Sequence, residues 1–183
     1  MHAKNTTQRI VMAAMLVALT TVATMIVKIP SPLKGYINIG DCVVLLAGWS
    51  LSPLYGFLAA GIGSALYDLV GFYGPADAVV TFINKGLMAL ACAKLSRLGG
   101  KTPGRSLQTV LACLGGALTY VALYMAKTFL ERMLVYGLTF DATLVVMASK
   151  LPASLINACF ATIAAPVLHA AVAPVLKKAG FIK

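Results

Sequence analysis

The chain is poor in acidic residues and in histidine. Its 183 residues include five Asp and Glu and two His, which are His2 and His169. This set offers neither a histidine pair for a metal ion nor a Ser-His-Asp arrangement for nucleophilic catalysis. The four cysteines are widely separated within apolar stretches and lack the paired spacing of zinc or redox motifs. These absences argue against an enzyme and against a resident metal.

ATP hydrolysis and nucleic-acid binding are also poorly supported. The tripeptide at 100–102, Gly-Lys-Thr, is similar to the end of a phosphate-binding loop, but Leu95 stands where that motif needs glycine and Pro103 follows at once. Basic residues outnumber acids 15 to five, yet they occupy short segments and are not interleaved with aromatics. We therefore expect no cofactor in this chain and no nucleic-acid partner.

Long apolar stretches dominate what is present. Apolar residues make up 60% of the chain and the mean hydropathy is +0.90, which leaves too little polar surface to coat a soluble globule. Three charge-free intervals of 18, 21 and 26 residues lie at 10–27, 106–126 and 151–176. Each is about as long as the ~20 residues that cross a bilayer. The first exceeds the usual core of a signal peptide, so we expect it to remain as an uncleaved helix.

The basic residues are distributed unevenly along the chain. Nine of them fall in three acid-free segments, at 4–9, 94–105 and 177–183. All five acids fall in the alternate connections or in the helix ends leading to them, where six other Lys and Arg nearly balance them. Cytoplasmic loops and tails retain Lys and Arg near helix ends. The pattern predicts that both termini and the loop around Gly99 are cytoplasmic.

We expect an all-α fold, a single polytopic membrane domain spanning 1–183 with six transmembrane helices. The uncharged run at 42–67 could be one long helix or two short ones. A continuous helix over 38–70 would extend about 50 Å, well beyond the bilayer core, and Pro53 is its natural break. The final helix exceeds one straight span, so we expect a kink near Pro152 and an interface-lying tail after Pro166. The expected helices cover about 10–28, 38–51, 54–70, 78–95, 107–130 and 143–176.

Polar groups collect in the outer half of this expected bundle. Such groups are costly inside a bilayer and usually face protein or a wet cavity. Since helices far apart in sequence place them at similar depth, we predict a pocket that opens outward. The alternative is internal ion pairing, for which Lys127 and Glu131 are the clearest pair. The polar groups are Asp41, Asp68, Asn84, Lys85, Lys127, Lys150 and Asn157.

Aromatic residues accompany these polar groups in the outer segments. Rings at such positions commonly mark the membrane interface, although beside polar groups they also suit a flat heteroaromatic ligand. The rings are Tyr36, Phe72, Tyr73, Tyr136 and Phe140.

Small residues recur at helical spacing in the first and third helices. Gly56, Ala60 and Ser64 form a ladder that we attribute to packing inside the bundle. Ala14 and Ala18 form a similar pair in the first helix. This pair either packs internally or provides a docking face for another membrane subunit.

Three stretches carry a resemblance to a known family. Positions 35–41 read GYINIGD, positions 53–56 read PLYG, and positions 65–68 read ALYD at the end of a glycine-rich helix. In this combination the chain resembles the substrate-binding S component of energy-coupling factor (ECF) vitamin transporters. It is most similar to the group named for riboflavin uptake, which also includes pyridoxine and hydroxymethylpyrimidine carriers. The resemblance is weaker after Arg105.

The resemblance implies a subunit that binds a vitamin outside the cell and delivers it inward. It also implies a transmembrane coupling subunit, two ABC ATPases that use the ATP, and a prokaryotic plasma membrane. In that family Ala14 and Ala18 would pack on the coupling subunit, and residues 30–38 would cap the ligand. The candidate substrate-binding residues are Tyr36, Asn38, Asp41, Asp68, Asn84, Lys85, Lys150 and Asn157.

A different class of protein stays open from the residues alone. A self-sufficient small secondary transporter or channel would also place polar groups inside an apolar bundle. It would show flux by the chain alone and a clearer internal repeat than this sequence contains.

Overall fold

In the part of the chain that the structure describes, six α-helices form a bundle, with a two-stranded hairpin between the first two. A computed structural model describes residues 6–26, 28–31, 35–71, 73–98 and 107–178, without the side chains of 28–31, 35–37 and 175–178. A π-helical turn, Glu131–Val135, extends the fifth helix. The elements are α1 (Thr6–Ile26), β1 (Lys28–Ser31), β2 (Gly35–Asn38), α2 (Gly40–Ser50), α3 (Pro53–Val70), α4 (Pro75–Leu95), α5 (Leu107–Leu130) and α6 (Phe140–Lys178).

The all-α membrane fold expected from the sequence is confirmed. Among the described residues, five helices are long and apolar enough to cross a membrane, and α2, with 11 residues, is shorter. The break at Pro53 is found where we expected it, because α2 ends at Ser50 and α3 begins at Pro53.

Two helices begin at a proline, earlier than expected. Pro53 is the first residue of α3, and α4 begins at Pro75 rather than near Ala78. Proline suits the first helical position because its missing N–H would have no partner there and its φ is already helical.

The last helix is longer than expected. α6 is one helix of 39 residues that contains Pro152, Pro166 and Pro174. It extends past the expected bounds of 143–176 at both ends, and it continues beyond Pro166 as helix to Lys178. Within a membrane bundle, neighbouring helices and local adjustments satisfy the carbonyls that a proline leaves free.

The short helix α2 lies at the centre of the bundle. All 11 of its residues are buried, and it contacts α1, α3, α4, α5 and α6. Small residues permit this: a Cβ added to Gly56 of α3 would lie 3.1 Å from the Cα of Gly48. The remainder of the expected ladder, Ala60 and Ser64, is buried as well. Its assignment to internal packing is therefore confirmed.

A β-hairpin follows α1, which the sequence analysis did not predict. β1 and β2 are antiparallel and pair from Lys28 with Asn38 to Ser31 with Gly35. We call this end of the bundle, where α1 ends and α2 begins, the hairpin end. The helix path places the start of α1, the end of α4 and the end of α6 at the opposite end.

Arg97 ties two helices together at that opposite end. Its guanidinium donates to the carbonyl of Ala93 at 2.5 Å and to that of Leu51, just after α2. A cation at helix C-termini is favourable because the carbonyls there carry partial negative charge. Partial burial nevertheless lowers the pKa of Arg97 from its ordinary value, because desolvation disfavours the charged form.

Candidate functional site

A buried ion pair lies in the hairpin half of the bundle. The Lys85 ammonium on α4 bonds to the carboxylate of Asp41, the second residue of α2, and the two side chains are 6% and 4% exposed. The ammonium also lies 3.4 Å from the centroid of the Tyr120 ring on α5. Charges this deeply buried are retained when both are paired and further contacts satisfy them. The pair therefore brings α2, α4 and α5 together at one polar point.

Asn157 of α6 connects that point to the hairpin. Its Oδ1 accepts the backbone N–H of Asn38 at 2.9 Å, and its Nδ2 donates to the second Asp41 oxygen at 3.4 Å. The Asn38 side chain in turn accepts the N–H of Gly40 at 2.7 Å. One side-chain amide thus holds the last residue of β2 against the start of α2.

A first cavity opens beside the ion pair toward α6. This α6-side cavity has a volume of about 320 Å³. Met88, Ala117 and Ala158 supply apolar lining, while Tyr124 and Lys150 add polar groups. The Lys150 ammonium lies 5.6 Å from the centroid of the Tyr124 ring. Within the described residues, no carboxylate lies close enough to form a salt bridge with Lys150.

A second cavity lies on the other side, toward α3. This α3-side cavity has a volume of about 260 Å³ and a strongly polar lining. Asp68 lies in its wall with 8% exposure, and the Thr81 hydroxyl on α4 interacts with that carboxylate. The two cavities adjoin, because Asn38, Lys85, Tyr120 and Tyr124 line both.

Lys127 lines the α3-side cavity and is shared between two acids. Its ammonium lies 2.8 Å from Asp77 on α4 and 3.5 Å from Glu131, one turn further along its own helix. The pairing with Glu131 expected from the sequence is confirmed. The shorter contact, to Asp77, was missed because the two residues are 50 positions apart.

The structure brings together seven of the eight predicted binding residues. Asn38, Asp41, Lys150 and Asn157 line the α6-side cavity, Asp68 and Asn84 line the α3-side cavity with Asn38, and Lys85 lines both. Tyr36 lies in β2, but its side chain is outside the described residues. Phe72 also lies outside them. Of the other predicted rings, Tyr73 lines the α3-side cavity, whereas Tyr136 and Phe140 are exposed.

Sequence reasoning missed the two rings at the centre of the site. Tyr120 and Tyr124 lie one turn apart on α5, with centroids 6.0 Å apart and planes at 26°. Together with Lys127 they follow a spacing of four and three, which places them on one helix face. That spacing was the available signal. It was overlooked because the rings stand inside a charge-free apolar run.

The predicted docking pair lies on the outside of the bundle. Ala14 and Ala18 are exposed on α1, whereas Met12 and Thr20 on the other side of that helix are buried. Among the residues that the structure describes, Ala14 and Ala18 therefore do not pack inside the bundle. Ala18 also lines an apolar groove of about 420 Å³ between α1, α2 and α6.

These features define a multi-pass membrane protein with polar cavities inside an apolar bundle. Comparison with known proteins assigns the family. Residues 4–174 match the family described as ECF-type riboflavin transporter, S component. The chain therefore belongs to this family, and it is a substrate-binding subunit of a transporter rather than an enzyme.

Two further comparisons are consistent with this assignment. The fold is similar to that of a protein solved as the S component of a bacterial ECF transporter, with a TM-score of 0.74 over 94% of this chain and 99% of the other. Sequence identity to it is 18%, so this likeness shows the fold alone. An uncharacterised protein from the gap 3′ region of Pyrococcus woesei is 39% identical over 104 residues, which are 56% of this chain and 68% of that protein.

Proposed function

We propose that this subunit captures riboflavin, or a similarly flat vitamin such as pyridoxine or hydroxymethylpyrimidine, outside the cell and delivers it inward. Delivery would require a transmembrane coupling subunit and two ABC ATPases in the cell membrane. The family description favours riboflavin among these ligands, and the site provides groups suited to it.

The observation that carries the proposal is the adjoining pair of polar cavities. Small-molecule sites usually have about 300–1,000 Å³, apolar and aromatic walls and a few placed polar groups. Each cavity alone lies near or below the lower limit, and the two joined lie within the range. Tyr120 and Tyr124 line both cavities, so a flat ring system could contact them while reaching polar groups on either side.

The hairpin suits the role of a cap over the ligand. Its second strand contacts α6, and Asn157 fixes its end. We infer that the hairpin end faces outward, because the acid-free basic segments belong to the opposite end. Residues 30–38 would then cover a ligand that enters from outside, with Tyr36 among them.

The exposed face of α1 suits a partner in the membrane. Small residues allow a second helix to approach closely, and Ala14 and Ala18 present such a surface. We infer that the coupling subunit binds there and that ATP is used only in its associated ATPases.

Mass spectrometry of small molecules released from the gently purified protein tests the proposal. We expect a co-purifying vitamin, and we expect the emptied protein to bind riboflavin with quenching of flavin fluorescence. Failure to bind riboflavin, pyridoxine and hydroxymethylpyrimidine would overturn the proposal. Ion-driven uptake by vesicles that contain this chain alone would instead support a secondary transporter.

A further inference from the structure

The two cavities differ in charge, and this difference bears on how a ligand is oriented between them. The α6-side cavity contains Lys150, which has no carboxylate within salt-bridge distance among the described residues. The Lys85 ammonium beside it is already neutralised by Asp41. The α6-side cavity therefore presents one uncompensated positive charge.

The α3-side cavity has the opposite character. Asp68 is buried, with 8% of its surface exposed. In the described part of the chain, no cation lies within salt-bridge distance of its carboxylate. Lys127 cannot compensate it fully, because Asp77 and Glu131 already share that ammonium. The lining carries two carboxylates, Asp68 and Asp77, and two ammonium groups, Lys85 and Lys127. Because Asp41 neutralises Lys85 and Glu131 shares Lys127, the Asp68 carboxylate has no lysine of its own.

Asn84 adds a neutral polar group to the lining of the cavity that contains Asp68. It lines the α3-side cavity, and no hydrogen bond of its side chain is found within the described residues. The Asn84 side chain is partly buried, and a ligand in the cavity would provide it with a hydrogen-bond partner. This cavity therefore offers both a charged acceptor and an amide that donates and accepts hydrogen bonds.

Resting on the proposed function, we propose that the ligand binds in one fixed direction across both cavities. The hydrogen-bond-accepting edge of its heterocycle contacts Lys150, and a neutral hydroxyl-bearing arm contacts Asp68 and Asn84. Hydroxyl groups can donate to the Asp68 carboxylate, whereas a phosphate carries about −1.5 to −2 charges at neutral pH and is repelled there. The site selects a vitamin with a neutral arm and rejects the same vitamin with a phosphorylated arm.

Three flavins test this arrangement in titrations of the full-length protein: riboflavin, riboflavin 5′-phosphate and lumiflavin, in which a methyl group replaces the arm. We expect Asp68→Asn to weaken riboflavin binding about tenfold, because a hydrogen bond to a charged carboxylate is replaced by a weaker one to a neutral amide oxygen. Binding of lumiflavin should be unchanged, and the preference for riboflavin over its phosphate should narrow about tenfold or more.

Two variants provide matched controls. Asn84→Asp adds a charge to the same cavity and should widen the preference against the phosphate. Lys150→Met should weaken the binding of all three flavins by a similar factor, about tenfold, because each flavin retains the heterocycle that contacts Lys150. Thermal unfolding of each variant shows whether it is folded.

The outcomes separate this inference from the proposed function. If the wild-type protein binds none of the tested vitamins, the proposed function fails and this inference with it. If riboflavin binds while Lys150→Met, and not Asp68→Asn, changes the preference for riboflavin over its phosphate, the ligand lies in the opposite direction across the two cavities. The inference alone is then overturned. An unchanged preference in Asp68→Asn and Asn84→Asp overturns it as well.

Discussion

Helices α1 and α2 are both strongly apolar, yet α2 is buried inside the bundle and α1 is mostly exposed on its surface. All 11 residues of α2 are buried, whereas only three of the 21 in α1 are: Met12, Thr20 and Thr24. In a bilayer, apolar composition shows that a segment lies within the membrane but not whether it faces protein or lipid, because lipid tails are as apolar as leucine. Burial is decided here by close backbone approach and by polar anchors.

The two helices also divide the functions that we propose. α2 carries Asp41 into the polar site, where Lys85 and Asn157 contact it. α1 instead carries Ala14 and Ala18 on the outer surface. Substitutions that disturb α2 should therefore affect stability and ligand binding together, whereas substitutions on the exposed face of α1 should affect neither.

The largest effect is expected from Lys85→Met, which removes the cation that neutralises Asp41 on α2. Removing one partner of a buried ion pair costs about 3–5 kcal/mol, because the other charge remains buried and uncompensated. We expect a marked fall in the thermal unfolding midpoint in detergent and loss of riboflavin binding.

The double variant Asp41→Asn with Lys85→Met is the control for this prediction. Removing both charges leaves neither unpaired, so most of the stability should return. Ligand binding should not return, because the charged groups that Asp41 and Lys85 supplied to the site are gone. If Lys85→Met alone unfolds at the wild-type temperature, the ion pair does not anchor α2.

A smaller effect is expected where α1 meets α3. A Cβ added at Gly63 would lie 2.7 Å from the Val17 carbonyl oxygen and 2.8 Å from the Thr20 Cβ. Thr21 also donates to the Gly63 carbonyl at 2.8 Å, so the helices cannot separate without losing this bond. Gly63→Ala should therefore destabilise the protein by about 1–3 kcal/mol.

Unfolding midpoints measured beside Ile62→Val check this second prediction. Ile62 is 40% exposed on the same helix, and trimming it should leave the midpoint nearly unchanged. Riboflavin binding should survive in both variants, because neither residue lines the two cavities. Equal midpoints for Gly63→Ala and Ile62→Val would show that the α1–α3 contact does not depend on a small residue.

The sequence was sufficient for the number of helices and for the break at Pro53, because bilayer thickness and proline chemistry act locally. It was insufficient for the hairpin, since two strands of four residues between apolar helices leave little pattern. The length of α6 was missed because its three prolines suggested breaks in the helix. Proline breaks a helix in water, but the surroundings of a membrane bundle can satisfy the groups it frees.

The site shows a similar division. Asp41, Lys85 and Asn157 were noticed because polar groups in apolar helices are rare and functional. Their pairing was not predicted, because it depends on how α2, α4 and α6 are rotated about their axes. The same rotation decides that Tyr120 and Tyr124 face the cavities rather than lipid.

The smallest effect on the isolated chain is expected from Ala14→Phe and Ala18→Phe on the exposed face of α1. Substitutions on an exposed surface usually change stability by no more than about 0.5 kcal/mol. Neither residue lines the two polar cavities, so riboflavin binding should also match the wild type. Uptake by cells that contain the coupling subunit and ATPases should nevertheless be abolished, because a bulky ring prevents close helix approach.

Leu118→Phe is the matched control, since Leu118 is 46% exposed on α5, away from α1. Adding a ring there enlarges another exposed side chain without touching the proposed docking face, so uptake should be retained. Binding and uptake measured on the same preparations separate the two roles. If Ala14→Phe or Ala18→Phe reduces binding as much as uptake, the face serves the fold and not a partner. Normal uptake in both would mean that the coupling subunit binds elsewhere on the bundle.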